Sequence, residues 1–320
     1  MNKEIGGYIE FEHYHGEQYH NNAIKLNCSR NALAYLIKLH EIKKIYIPFF
    51  LCDSVRNVCS RYEVECKFYN IDENFFPILP EIDFSHNWLY VVNYYGQLQN
   101  EKIKELYSIT NNLIIDNVQA FFQKPILHIP TIYNCRKYFG VTDGAYLYSD
   151  NELPEKLEKD FSYRRMEFLF GRFEKNASEF YSLYTANNKL FKEEPIKKMS
   201  SLTENIMSSL DYNNIKKTRT ENFLYLYNKF NGINKLKLSI CEGAFAYPLL
   251  VENGSEIRKR LQTEKIYIPT LWPDVFDVCE QNCLEWQYAE NILPLPVDQR
   301  YGIEEMKYIY LNIYNILGGK

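Results

Sequence analysis

Between about residues 25 and 150, apolar runs of two kinds alternate along the chain. NALAYLIKLH (31–40) carries its apolar residues at helical spacing and follows LNCSR, where Asn27 and Ser29 are N-cap candidates. KKIYIPFF (43–50) predicts a strand entering a loop at Pro48, SVRNVCSRY (54–62) a short helix, and CKFYNID (66–72) a second strand. WLYVVNYYG (88–96) and NLIIDNVQAFF (112–122) are near-continuous apolar runs, the pattern of strands buried on both faces of a parallel sheet, with the helical EKIKELYSIT (101–110) between them. TIYNCRKYFG (131–140) and DGAYLYSD (143–150) read as short strands around a turn. This alternation predicts an α/β fold with a mostly parallel sheet flanked by helices.

After residue 150 the pattern changes. ELPEKLEKDF (152–161), RFEKNASEFYSLYTANNKLF (172–191), SLTENIMSSL (201–210) and IKKTRTENFLYLYNKF (215–230) predict consecutive helices. The remainder mixes strands (AFAYPLLVE, KIYIPTLW) with helices (SEIRKRLQ, IEEMKYIYLNIYNIL), as in a smaller α+β unit. The expected division is a large α/β domain over 1–205, beginning with an arm over 1–22, and a small C-terminal α+β domain over 206–320.

Composition narrows the function classes. The 320 residues are 46% hydrophobic and 24% charged, which excludes a disordered or fibrous chain. A formal net charge of −4, with no long basic helix face, argues against nucleic acid as a partner. No 18-residue apolar stretch predicts a membrane span. The opening MNKEIGGYIEFEHYH lacks an apolar signal core, and the eight scattered Cys read as free thiols, so a cytoplasmic location is expected. Cys279 and Cys283 form the tightest Cys pair but have no second pair to complete a zinc site, and His13, His15 and His20 have no accompanying carboxylate frame, so no metal is expected.

Ligands of parallel α/β sheets sit beyond the carboxyl ends of the strands, which makes Asn93, Asp116 and Gln119 site candidates on architecture alone. A carboxylate closing the buried run LIID is costly without a cationic partner, although a strand-end Asp also caps helices. Lys137 stands among aromatic and small residues in a strand-like segment, an unusual place for a surface lysine.

Four segments carry a resemblance: CSRNALAYL (28–36), VVNYYGQ (91–97), IIDNVQAF (114–121) and RKYFGVTDGAYL (136–147). In this order and spacing they resemble the DegT/StrS-type aminotransferases, pyridoxal-phosphate (PLP) enzymes of fold type I. The similarity continues through MSSLTENI, YPLLV and PLPVDQRY over nearly the whole chain. The resemblance implies an enzyme that moves an amino group from an amino acid, glutamate in the family, to a keto-sugar, commonly nucleotide-linked and destined for surface polysaccharide. It also implies a homodimer with active sites at the subunit interface.

By the same resemblance Lys137 holds the PLP aldehyde covalently and carries the proton during transfer. Asp116 pairs with the pyridinium nitrogen and keeps it protonated, and Gln119 contacts the ring oxygen. The phosphate is assigned to the start of the helix at Ser29, Arg30 and Asn31, where backbone N–H groups favour an anion. The family's Gly and hydroxyl turn is here Cys28-Ser29-Arg30, so the contacting side chain stays open. A Ser that the family places shortly before the Lys is absent, which leaves that contact to Asn134. Phe50, or Cys52 in another register, is the stacking candidate, and both Phe49 and Phe50 suit a core equally well. The family's cross-subunit phosphate Asn is missing from EPIKKMS, with Lys197, Lys198, Arg164, Arg165 and Arg172 as substitutes. Related sugar dehydratases carry His in place of the Lys, and Lys137 argues against that chemistry. A member that binds PLP or a sugar nucleotide without transamination is the alternative.

Overall fold

The computed structural model describes residues 5–81 and 83–318. Strands and helices alternate as the apolar pattern predicts: β1 (Ile24–Leu26), α1 (Ser29–Leu39), β2 (Lys44–Pro48), α2 (Asp53–Arg61), β3 (Glu65–Ile71), β4 (Pro77–Ile78), β5 (Trp88–Val92), α3 (Asn100–Ile109), β6 (Leu113–Asp116), β7 (Thr131–Asn134) and β8 (Ala145–Tyr148). They form one eight-stranded sheet in the order β1-β8-β7-β6-β5-β2-β3-β4. The five strands β3, β2, β5, β6 and β7 run parallel, while β8, β1 and β4 join antiparallel. The four residues of β6 are all buried, and β5 is buried from Leu89 onward. That two-sided burial is why both read as unbroken apolar runs.

The parallel register fixes the future site. Val92 lies opposite Asp116, and Asp116 opposite Ile132, so the carboxyl ends of β5, β6 and β7 finish along one edge of the sheet. α1, buried from Asn31 to Ile37, points its N-terminus toward that edge, where Asn134 at the end of β7 bonds Ser29.

Beyond the sheet come α4 (Glu167–Glu174), α5 (Tyr181–Leu190), α6 (Ser201–Met207) and α7 (Tyr212–Phe230). β9 (Ala246–Leu250) and β10 (Ile292–Pro296) form an antiparallel pair. α7, α8 (Gly254–Thr263) and α10 (Ile303–Ile316) pack on this pair around Phe223, Leu249, Leu293 and Ile309, and α9 (Leu284–Asn291) precedes β10. Trp272, Val275 and Tyr288 cross from this region into the core of the main sheet.

Three expected elements differ. Residues 152–161 are not helical, because their backbone bonds to another segment: Lys198 N–H donates to Glu158 O and Asp160 N–H to Lys198 O. The expected helix over 172–191 is two helices, broken where the Asn176 side chain accepts the Glu179 N–H. KIYIPTLW forms no strand: Ile266 and Ile268 are buried, but left-handed residues bound the segment at Lys265 (φ 60°) and Trp272 (φ 54°), and Pro269 interrupts it. Among the described residues no helix is long and apolar enough to cross a membrane, and no three His, Cys, Asp or Glu side chains gather to hold a metal.

Candidate active site

Asp116 ends β6 with 6% of its surface exposed. Its Oδ2 accepts the Tyr90 hydroxyl at 2.6 Å and its Oδ1 the Val118 N–H at 2.9 Å. Burial pushes this carboxyl above its ordinary range, and the Tyr90 hydrogen bond, the Lys137 charge and the Val118 amide pull it back. Tyr90 stays a proton donor, since burial raises its own hydroxyl well above the usual value.

Gln119 is fully buried. Its Oε1 accepts the N–H of Tyr95, a residue held at φ 54°, while its Nε2 has no partner. A buried amide donor left unpaired costs free energy on the order of 1–3 kcal/mol unless a ligand satisfies it. Asn93, a site candidate from architecture, is instead internal bracing: its amide donates to Asn117 Oδ1 and Gln123 Oε1, and its Oδ1 accepts the Leu98 N–H.

Lys137 does not lie in a strand. β7 stops at Asn134, and the chain turns as the N–H groups of Tyr138 and Phe139 both donate to Cys135 O. The turn lifts Lys137 out of the sheet, exposed, with its Nζ 5.5 Å from the Phe245 ring centroid and its charge acting on Asp116. Asn134 ties this turn to the helix start: its Oδ1 accepts the Lys137 N–H at 3.2 Å, and its amide donates to Ser29 Oγ at 2.8 Å. Ser29, Asn134 and Lys137 are thus linked by successive hydrogen bonds, although 108 positions separate the first from the last.

At the mouth of α1, Cys28 is the N-cap, and no side chain caps the helix. The first turn has no acidic residue, so its N-terminal partial charge is uncompensated from within. The Asn31 side chain faces elsewhere, donating to Asn27 Oδ1, Glu194 O and Pro195 O, which leaves its backbone alone for an anion. Arg30 reaches Asn188 O on α5 at 3.3 Å. Arg136 donates to Asn188 Oδ1 and lies over the Phe191 ring at 4.8 Å. Nothing in the sequence pattern marked Tyr90 or Phe245 as neighbours of the site, whereas Arg136 was a candidate source of positive charge simply as the residue before Lys137.

Phe50 is fully buried between Trp272 (centroids 4.4 Å apart) and Tyr94 (5.2 Å). Its ring faces are occupied by protein, so the core reading of this loop describes its place. Cys52, the other register, is half-buried with its Sγ 2.7 Å from Ser54 Oγ. Of the substitutes for the missing Asn, Lys197 pairs with Glu194 and Arg165 with Asp160, while Arg164 covers the Tyr163 ring.

No family model and no curated protein matches this sequence. Solved structures do. A DegT DnrJ EryC1 StrS aminotransferase from Brucella abortus superposes with a TM-score of 0.62 at 12% identity, over 92% of this chain and 86% of that one. NtdA from Bacillus subtilis, with bound cofactor PMP, gives 0.66 at 13% identity, over 92% and 73%. A GDP-4-keto-6-deoxy-D-mannose-3-dehydratase from E. coli, with bound hydrated PLP, gives 0.62 at 13% identity, over 91% and 87%. At such identities the likeness establishes the fold, a mostly parallel sheet flanked by helices as in PLP-dependent fold type I, and it spans nine-tenths of the chain.

Proposed function

We propose that this chain is a PLP-dependent aminotransferase that carries an amino group from an amino acid, glutamate by resemblance, to a keto-sugar. A nucleotide-linked acceptor and a role in surface polysaccharide synthesis are the setting the resemblance implies. The observation that carries the reading is the orphaned donor of the fully buried Gln119, three residues beyond the buried Asp116 carboxyl that ends β6, at the carboxyl edge of the sheet. Sugar aminotransferases and a sugar dehydratase among the structural neighbours support it.

The residues present fit the cofactor. Among the described residues the buried Asp116 carboxyl meets the Tyr90 hydroxyl and the Val118 N–H rather than a cation, and a pyridinium nitrogen would supply that cation. The orphan Gln119 Nε2 is a donor awaiting an oxygen. Ser29 Oγ, the first-turn amides of α1 and Asn134 form a cradle for phosphate, with the guanidinium groups of Arg30 and Arg136 near Cys28 at the same helix end. When bound, PLP supplies an electron sink for the amino-acid α-carbon. Lys137 Nζ would hold the cofactor's aldehyde carbon and, when free, would be the base that accepts the proton from that α-carbon. Asp116, braced by Tyr90, would hold the ring in orientation.

A homodimer belongs to this proposal. Phe173 is 92% exposed on α4 and Tyr181 64% on α5, and large apolar side chains this open suit burial against a second copy.

The test is spectroscopic. Purified protein with PLP should absorb in the visible range, Lys137→Ala should abolish the band, and glutamate should bleach it with release of 2-oxoglutarate. A band that persists in Lys137→Ala refutes the assignment. The alternative, binding without transamination, draws on the Asn31 side chain turned away from the helix mouth and on Phe50 in the core. A visible band that no amino acid bleaches would favour it.

A further inference from the structure

Arg219 is one of the largest fully buried side chains, at 1% exposure, and lies on α7, far along the chain from the lysine turn. Burying a guanidinium is costly, and an apolar residue would pack the helix at lower cost. Its donors are spread over three partners: Nη2 to Tyr138 O at 3.1 Å, Nη1 to Ala244 O at 2.9 Å and Nε to Gln299 Oε1 at 2.7 Å. Gln299 in turn donates its amide to the same Tyr138 carbonyl at 2.8 Å. The guanidinium also lies over the Tyr138 ring, 4.4 Å from its centroid.

Both carbonyls belong to residues beside the lysine or beside the ring it meets. Tyr138 follows Lys137, and Ala244 precedes Phe245, whose ring lies beneath Lys137 Nζ. The turn is gripped on its other side by Asn134, which accepts the Lys137 N–H. The backbone from the Lys137 N–H to the Tyr138 carbonyl is therefore held at both ends, and one planar fork links it to the backbone that carries the aromatic plate. Lysine, with a point charge on a flexible stem, cannot span two carbonyls in this way.

From this geometry we infer that Arg219, oriented by Gln299, is a positioning residue for Lys137: it sets the direction of the amine by clamping Tyr138 O and Ala244 O. The inference rests on the proposed role of Lys137, and the experiment separates the two. Arg219→Lys, Gln299→Ala and, as a control, Phe230→Leu at the far end of α7 are compared with wild type after circular dichroism confirms folding. Two readouts are taken. In protein without added PLP, hydrogen exchange of the 135–139 amides reports on the turn itself. With PLP, the amine condenses with the aldehyde and releases water, borohydride reduces the C=N bond to a secondary amine, and mass spectrometry gives the rate and site of attachment.

Displacing a reacting group by about 1 Å costs up to ~100-fold in rate. Arg219→Lys should therefore slow attachment at Lys137 by ~10-fold or more and speed exchange in the turn, Gln299→Ala should do so less, and Phe230→Leu should match wild type. Folded Arg219→Lys and Gln299→Ala with wild-type exchange and attachment overturn the inference, as does an equal slowing in Phe230→Leu. If Arg219→Lys fails to fold, Gln299→Ala decides. A wild type that takes no PLP at Lys137 refutes the proposed function and the catalytic sense of the clamp with it, while altered exchange in the variants would still show that the clamp exists.

Discussion

His20 supplies a quantitative prediction. It is fully buried where the N-terminal arm meets the main sheet, with its ring 4.0 Å from that of Tyr133. Phe121 O lies 2.8 Å from Nε2, and a carbonyl only accepts, so Nε2 carries the proton. Nδ1 is then bare and accepts the Tyr148 hydroxyl at 3.1 Å. Burial, the largest cause, lowers the imidazole from 6.5 to about 3, against the raising effect of the Phe121 carbonyl. The unfolded chain therefore binds a proton that the folded chain refuses between pH 6.5 and about 3, and stability falls as the pH drops through that window. Between pH 7.5 and 5.0 the loss is about 2 kcal/mol, because only the unfolded value enters at those pH values. Urea unfolding at both pH values checks this, with His20→Gln as the reference that cancels every other titrating group. Wild type should lose about 2 kcal/mol more than His20→Gln. Equal losses, or a His20 ring titrating near its ordinary value in the folded protein by NMR, would refute the reasoning.

Asp116→Asn should weaken PLP binding tenfold or more by equilibrium titration, yet leave the ligand-free protein as stable as wild type at pH 7 or more so. The reason is the raised carboxyl: the folded state keeps its proton to a higher pH than the unfolded chain, so stability is lost as pH rises above the unfolded value, and Asn removes that loss. Asp143 is fully buried and accepts the Ser200 N–H, the Ser200 hydroxyl and the Thr203 hydroxyl, so Asp143→Asn should cost roughly 2–4 kcal/mol in urea unfolding. Sedimentation at micromolar concentration should give twice the chain mass, and a monomer there would refute the dimeric layout.

The legible features are those that local chemistry writes into a short window. β6 was readable as LIID because a strand covered on both faces excludes polar residues until its end, and Asp116 stood out as that end. The start of α1 followed from a small polar turn before an apolar helix pattern, although the N-cap is Cys28 rather than Asn27 or Ser29. Residues 152–161 misled because their helical propensity was outbid by backbone pairing with Lys198, a partner invisible to any local pattern. Phe50 shows the same limit, since a loop Phe is equally apolar whether a cofactor or Trp272 covers it.

Periodicity and residue type were enough to place a parallel sheet, its carboxyl edge and Asp116 at the end of one strand, because each depends on side chains within one strand or turn, whereas the roles proposed for Asp116 and Lys137 came from the family resemblance. Folding alone brought Tyr90 onto Asp116, Ser29 onto Asn134, and Arg219 onto the turn that bears Lys137. Those contacts join residues from 26 to 105 positions apart, and hydrogen-bond geometry over such separations is set by how layers pack, which no stretch of sequence encodes by its own pattern.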